Sequence, residues 1–158
     1  SLYLYSQYIL VKFYSEVQLR NTLADVEIGK GDNHLTKSKG IYTIHLSKFK
    51  ASDKVGKVEF PLSKALSTAI HRYIKFRTQL NLPHNFLLVN AKGNKLSRKG
   101  LGAILHKLTK RFTGKAFGSR LARVLKATEN KKVLDEALKI SKEMLHKNLH
   151  MTVSYARK

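Results

Sequence analysis

The stretch from 63 to 80 leaves the chain least freedom. Leu66, Ala69, Ile70, Tyr73, Ile74 and Phe76 recur at helical spacing, so this segment is an amphipathic helix. Ser63 is placed to cap its first turn, and Asn81-Leu-Pro83 ends it. A helix with one apolar face must bury that face, so its flanks have to supply the other layer of a core. Before it, residues 41–46 and 55–60 are rich in β-branched and aromatic residues around the basic segment 48–54. They read as a two-strand hairpin with a cationic turn, closed by Pro61. After it, Phe86-Leu-Leu-Val89 reads as a short buried strand and residues 90–94 as a turn.

The remaining elements are helical. Leu4, Tyr5, Tyr8, Ile9, Val11, Phe13 and Val17 follow a helical face over residues 2–19, leading into a second short helix at 20–25. Residues 29–40, with Gly29, Gly31 and Gly40 among charged side chains, read as an exposed loop. Ser97 caps a helix running through Leu101, Ile104, Leu105 and Leu108 to about residue 112, where Thr113-Gly114 breaks it. Further helices are expected at 119–128 and 131–145, with a last short one carrying Tyr155. The expected fold class is mainly α with a small antiparallel β-sheet, a hairpin plus a short strand. At 158 residues the chain reads as a single domain, 1–158. Because it starts at Ser1 inside an apolar pattern, it is expected to be a domain excised from a longer chain.

Charge narrows the partner. Lysine and arginine number 31 against 10 acids, a formal net charge of +21, in a chain that is 42% hydrophobic. The hydrophobic content is enough to fold, and self-repulsion of that size calls for a partner that neutralises it. Nucleic acid is the first candidate and an anionic membrane the second. No run approaches the roughly 18 apolar residues that span a bilayer, so a membrane role has little support. Cysteine is absent, which excludes disulfides and thiolate metal sites and fits a reducing, intracellular setting. Only His146 and His150 stand at i, i+4, and neither a metal nor another cofactor is expected.

The densest basic stretch comprises Lys92, Lys95, Arg98, Lys99, Lys107, Lys110 and Arg111. It reads either as a solvated helix face or as a track of phosphate contacts along a duplex, and the absence of balancing acids favours the track. Lys48, in the hairpin turn, is a further backbone candidate. Breaking a phosphodiester without a metal requires a nucleophile, cations on the non-bridging oxygens, and an acid for the leaving oxygen. Arginine suits the clamp, lysine the acid, and tyrosine can serve as a covalent nucleophile.

In this light the order of short boxes resembles the catalytic domain of tyrosine recombinases, the phage-integrase family, in a divergent viral or archaeal form. Leu19-Arg20-Asn-Thr-Leu-Ala-Asp25 is similar to the first arginine box. The hairpin from Tyr42 through Lys48 and Lys50 to Phe60-Pro61-Leu62 resembles the one that carries the family's lysine. Ala122-Arg123 followed by Ala127-Thr128 resembles the second arginine box, and Arg123 lies 23 residues before His146. Met144-Leu-His146 and Tyr155, nine residues after that histidine, resemble the last histidine and the nucleophile. Together the boxes cover nearly the whole chain. One position departs from the pattern: Arg120 stands where the family has a histidine, and an arginine does not accept a proton near neutral pH.

The resemblance implies the catalytic domain, 1–158, of a recombinase or integrase acting on double-stranded DNA, excised from a longer chain and without that protein's N-terminal DNA-binding part. Tyr155 would attack the scissile phosphate, Arg20, Arg123, His146 and Arg120 would hold it, and Lys50, with Lys48 as the alternative, would protonate the leaving 5′ oxygen. A type IB topoisomerase or a telomere resolvase would use much the same residues, and a relative that has lost catalysis would keep the DNA surface alone. The setting implied is intracellular, with host-cell DNA, for a virus- or mobile-element-encoded protein that is monomeric in isolation and assembles further on DNA. Taken singly, Tyr155 reads as a docking aromatic, His146 as a core histidine, and Arg20 as a helix-end cation.

Overall fold

The computed structural model describes residues 1–17, 19, 21–49 and 52–113. The expected helices at 119–128 and 131–145, and the one carrying Tyr155, lie outside the described residues.

Helix α1, Leu2–Glu16, starts at Ser1, whose hydroxyl accepts from the Leu4 amide at 3.3 Å. It buries Ile9, Leu10, Phe13 and Tyr14. A 3-10 turn, Asn21–Asp25, takes the place of the expected second helix and buries Thr22, Leu23 and Ala24. Four strands follow: β1, Glu27–Ile28; β2, Asn33–Ser38; β3, Ile41–Leu46; and β4, Val58–Pro61. A one-turn helix α2, Ser52–Val55, lies between β3 and β4. Helix α3, Lys64–Thr78, and helix α4, Arg98–Thr113, complete the described part.

The fold is mixed α and β, and the sheet is larger than the sequence suggested. It has four strands in the order β1-β2-β3-β4, with β1 parallel to β2 and the other two pairs antiparallel. The expected β3-β4 pairing is present, with Ile44 opposite Phe60 and Leu46 opposite Val58. The exposed loop expected at 29–40 is corrected: half of it, Asn33–Ser38, is strand β2. Asn33 and Leu35 point into the core while His34 and Thr36 alternate outward, the period-two pattern of a half-buried strand. The glycine at its end marks a hairpin turn. Ser38 pairs with Ile41, and the two residues between them, Lys39 and Gly40, have φ of 52° and 81°. Positive φ at both central positions gives a two-residue turn whose twist matches its strands.

The expected strand at Phe86-Leu-Leu-Val89 is likewise corrected. Leu87, Leu88 and Val89 are buried, yet the segment joins neighbours only through isolated bridges, Glu27 to Phe86 and Val89 to Lys95. Its polar groups are satisfied elsewhere. The Leu87 amide donates to Val26 O at 3.0 Å, Tyr73 Oη donates to Leu87 O, and the Val89 amide donates to Ser6 Oγ at 3.0 Å.

The core lies between one face of the sheet and the helices. Leu35, Tyr42, Ile44 and Leu46 face Leu66, Ile70 and Tyr73 of α3 in one buried cluster that also takes in α1 and Leu101 and Leu105 of α4. Ser67 of α3 is buried and accepts from the Tyr42 amide at 3.0 Å, which pins α3 to β3. Helix α3 is capped as expected: Ser63 Oγ accepts from the Leu66 amide at 3.1 Å. Arg77, also buried, donates to the His84 carbonyl and ties the end of α3 to the following loop. Burial lowers the pKa of its guanidinium, and the nearby Tyr73 opposes that shift.

Candidate nucleic-acid interface

The expected catalytic residues Arg20, Lys50, Arg120, Arg123, His146 and Tyr155 lie outside the described residues, as does the side chain of Arg111. The segments that flank two of them are described, together with most of the basic surface.

The 3-10 turn Asn21–Asp25 follows Arg20 directly and packs against α4. Asp25 fixes it there. One carboxylate oxygen accepts from Lys95 Nζ at 2.8 Å and the other from Arg98 Nε at 2.5 Å. Burial alone would raise the Asp25 pKa; the hydrogen bonds and charges of Lys95 and Arg98 more than offset it and hold the group below its ordinary value. Asn21 Oδ1, beside this contact, is buried with no hydrogen-bond partner among the described residues.

The turn that leads to Lys50 is anchored with similar economy. Asn33, 3% exposed, accepts at Oδ1 from the amides of Ser47 and Lys48, both at 3.0 Å, and donates from Nδ2 to the Lys48 carbonyl at 2.9 Å. A single buried side chain on β2 thus replaces three ladder partners just where β3 ends and the basic segment begins. The Lys48 side chain projects outward and meets Asp32 at 3.1 Å, with both side chains largely exposed. A pair so exposed is worth about 0–1 kcal/mol, so Lys48 stays free to exchange Asp32 for another anion.

A row of ionisable groups crosses the sheet on its outer face. Glu27, His34, His45 and Glu59 occupy paired positions on the four successive strands. The His34 and His45 rings stack at 4.5 Å, 9° from parallel, and His45 Nδ1 is 2.9 Å from the Glu59 carboxylate. Thr36 Oγ1 lies 2.7 Å from His45 Nε2. Among the described residues, no group of three or more His, Asp or Glu is placed to hold a metal ion.

Helix α4 begins with Ser97, whose hydroxyl accepts from the Gly100 amide at 2.9 Å. It buries Leu101 and Leu105 and exposes Lys99, His106, Lys107 and Lys110 on the other side. The spacing i, i+7, i+8, i+11 puts these four on one face. Lys95 and Arg98, DNA-backbone candidates from the sequence, both pair with Asp25 here, and Lys95 Nζ also sits 5.2 Å from the Phe86 ring centroid. Between Glu59 and Glu129 the sequence contains no carboxylate, so the exposed cations of α3 and α4 have no acid on their own helices.

No family model matches this chain. A search of curated proteins finds no match either. No helix among the described residues is long and apolar enough to cross a membrane.

The sequence reading missed both anchors, Asp25 and Asn33. Each had a signal that could have found it. Asp25 is one of few acids in a basic chain, and Asn33 opens an alternating run, Asn33-His-Leu-Thr36, that fits a strand better than a loop.

Proposed function

We propose that this chain is the catalytic domain of a site-specific DNA recombinase of the tyrosine recombinase type. The observation that carries this reading is the order of the boxes: Leu19-Arg20, the basic hairpin turn with Lys48 and Lys50, Ala122-Arg123 with Ala127-Thr128, and His146 nine residues before Tyr155. The fold supports it more coarsely. A basic connection joins antiparallel strands β3 and β4, and the segment after Arg20 is held rigidly against α4 by Asp25. Rigid flanks suit residues that must hold a phosphate in one geometry.

In the proposed reaction Tyr155 Oη bonds to the scissile phosphorus as the bond to the 5′ oxygen breaks. The phenolic proton leaves to solvent, and Lys50 supplies a proton to the departing 5′ oxygen, giving a 3′-phosphotyrosyl linkage and a free 5′ hydroxyl. Arg20 and Arg123, with His146 and Arg120, neutralise the two non-bridging oxygens as charge builds on them. Attack by a 5′ hydroxyl from another strand completes recombination. Rejoining the original strand would relax supercoils as a type IB topoisomerase does, and a telomere resolvase would use the same residues to join the cleaved end to the opposite strand.

A second reading is favoured by one residue. Arg120 replaces the histidine that would accept the phenolic proton, so a DNA-binding relative without catalysis fits the same boxes. A nicked duplex that traps the covalent intermediate separates the two readings. Incubated with the chain in EDTA, it should yield a covalent protein-DNA adduct that Tyr155→Phe abolishes. An adduct that persists in Tyr155→Phe refutes the assignment. Salt-sensitive DNA binding without any adduct supports the binding-only relative, and relaxation of supercoiled DNA without sequence preference supports the topoisomerase.

A further inference from the structure

Helix α3 carries a cationic strip that none of the proposed DNA contacts uses. Its buried side is Leu66, Ser67, Ile70, Tyr73 and Arg77. The opposite side exposes Lys64, Thr68, His71, Arg72 and Lys75, at i, i+4, i+7, i+8 and i+11, in one line along the helix. Lys37, from the end of β2, extends the strip sideways by donating from Nζ to His71 Nδ1 at 3.1 Å. Among the described residues, no carboxylate comes within ion-pair distance of Lys37, Lys64, Arg72 or Lys75.

Helix stability does not account for this pattern. Cations favour the last turn of a helix, which explains Lys75, but Lys64 occupies the first turn, where the macrodipole disfavours it. Nor does a membrane account for it. A helix that lies on a bilayer needs a free apolar face, and that of α3 is spent in the core. Among the described residues, Leu80, past its end, is the one large apolar side chain that stands out, 47% exposed.

We propose that the solvent face of α3, with Lys37, is a second nucleic-acid surface that binds duplex phosphates separately from the face of α4. The proposal rests on the nucleic-acid reading above for the class of its ligand, but not on catalysis. From Lys64 to Lys75 the strip runs about 16 Å along the helix, comparable to about five base-pair steps at 3.4 Å. A basic face of that length on a second helix would let the domain hold one duplex at two places, or two duplexes at once.

The test is fluorescence anisotropy on a short duplex of arbitrary sequence across a salt series. The chain is compared with a variant carrying Lys64→Gln, Arg72→Gln and Lys75→Gln, and with one carrying Lys99→Gln, Lys107→Gln and Lys110→Gln. Each phosphate contact contributes about 0.9 to the log-log salt slope, so the α3 variant should lose about 2.7 of slope. Circular dichroism and thermal unfolding should be unchanged, because all three side chains are exposed. If the α4 variant loses slope and the α3 variant does not, the α3 surface is refuted while the nucleic-acid reading stands. Absence of salt-sensitive binding by the unmodified chain overturns both. Loss of binding to phosphatidylserine vesicles in the α3 variant, with duplex binding intact, refutes the proposal in favour of a membrane surface.

Discussion

Replacing Asp25 by asparagine should weaken the fold and strengthen DNA binding together. The carboxylate is a quarter exposed and receives charge-assisted hydrogen bonds from Lys95, about one third exposed, and Arg98, 57% exposed. Such a bond contributes about 1.5–3 kcal/mol when enclosed and about 0.2–1 kcal/mol when wet. Counting the Lys95 bond near the bottom of the enclosed range and the Arg98 bond as wet, Asp25→Asn should cost about 1–3 kcal/mol at neutral pH. Its sign with pH follows from the lowered pKa of Asp25. A carboxylate whose native pKa lies below its unfolded value adds stability that is complete above the unfolded value, about 3.9, and lost as pH falls through the native one. Urea unfolding of the two proteins should therefore show a constant gap from pH 7 to about pH 5 that closes at lower pH. The same substitution frees two cations beside the turn that follows Arg20. Each freed cation that takes up a phosphate steepens the salt slope of duplex binding by about 0.9. A gap that persists unchanged through pH 3, or a fall in DNA affinity, would show that Asp25 does not act as this clamp.

Other outcomes can be checked in parallel. Asn33→Ala should cost about 1–3 kcal/mol by leaving the Lys48 amide without its acceptor and the Ser47 amide with Asp32 O alone, and hydrogen exchange at the Lys48 amide should accelerate more than in the rest of the sheet. Gly40→Ala meets no atom within 4 Å but forces φ of 81° on an L-residue, so chemical denaturation should report a loss of about 1–2 kcal/mol from backbone strain alone. Leu66→Ala should cost about 2–5 kcal/mol in the same measurement, because Leu66 is fully enclosed between α3 and the sheet.

What could be read from the sequence followed the strength of local signals. The capped amphipathic helix at 63–80 and the helix from Ser97 each carry a side-chain cap and a 3.6-residue period, and each appears within two residues of its expected span at every described end. Strand β2 was hidden because glycine has two meanings. Gly29 and Gly31 do lie in loop, whereas Gly40 closes a hairpin, and only pairing with β3 distinguishes them. The buried segment 87–89 fits a strand by composition, yet its partners are scattered over Ser6, Val26, Tyr73 and Leu96, and among the described residues no single strand runs beside it. Lys95 and Arg98 belong to the densest basic run, and composition contains nothing to show that one aspartate about seventy residues earlier takes up both. Of the proposed site, the basic faces of α3 and α4 and the anchored ends of the hairpin turn are described. Its catalytic residues are proposed from the order of their boxes alone.

The bond between Ser6 and Val89 also bears on how the chain folds during synthesis. Helix α1 precedes in the chain the groups that cover it: Tyr73 for Tyr5, and the Val89 backbone for the Ser6 hydroxyl. At about 5–20 residues per second, the ribosome takes about 4–17 s to make the 83 residues that separate Ser6 from Val89. Until α3 is made, the apolar side of α1 lacks the helix it packs against, and the Ser6 hydroxyl waits for Val89. Chaperone capture at this stage should therefore fall on the first sixteen residues, and changes that make their apolar face stickier should lower the yield of folded protein before they alter its stability.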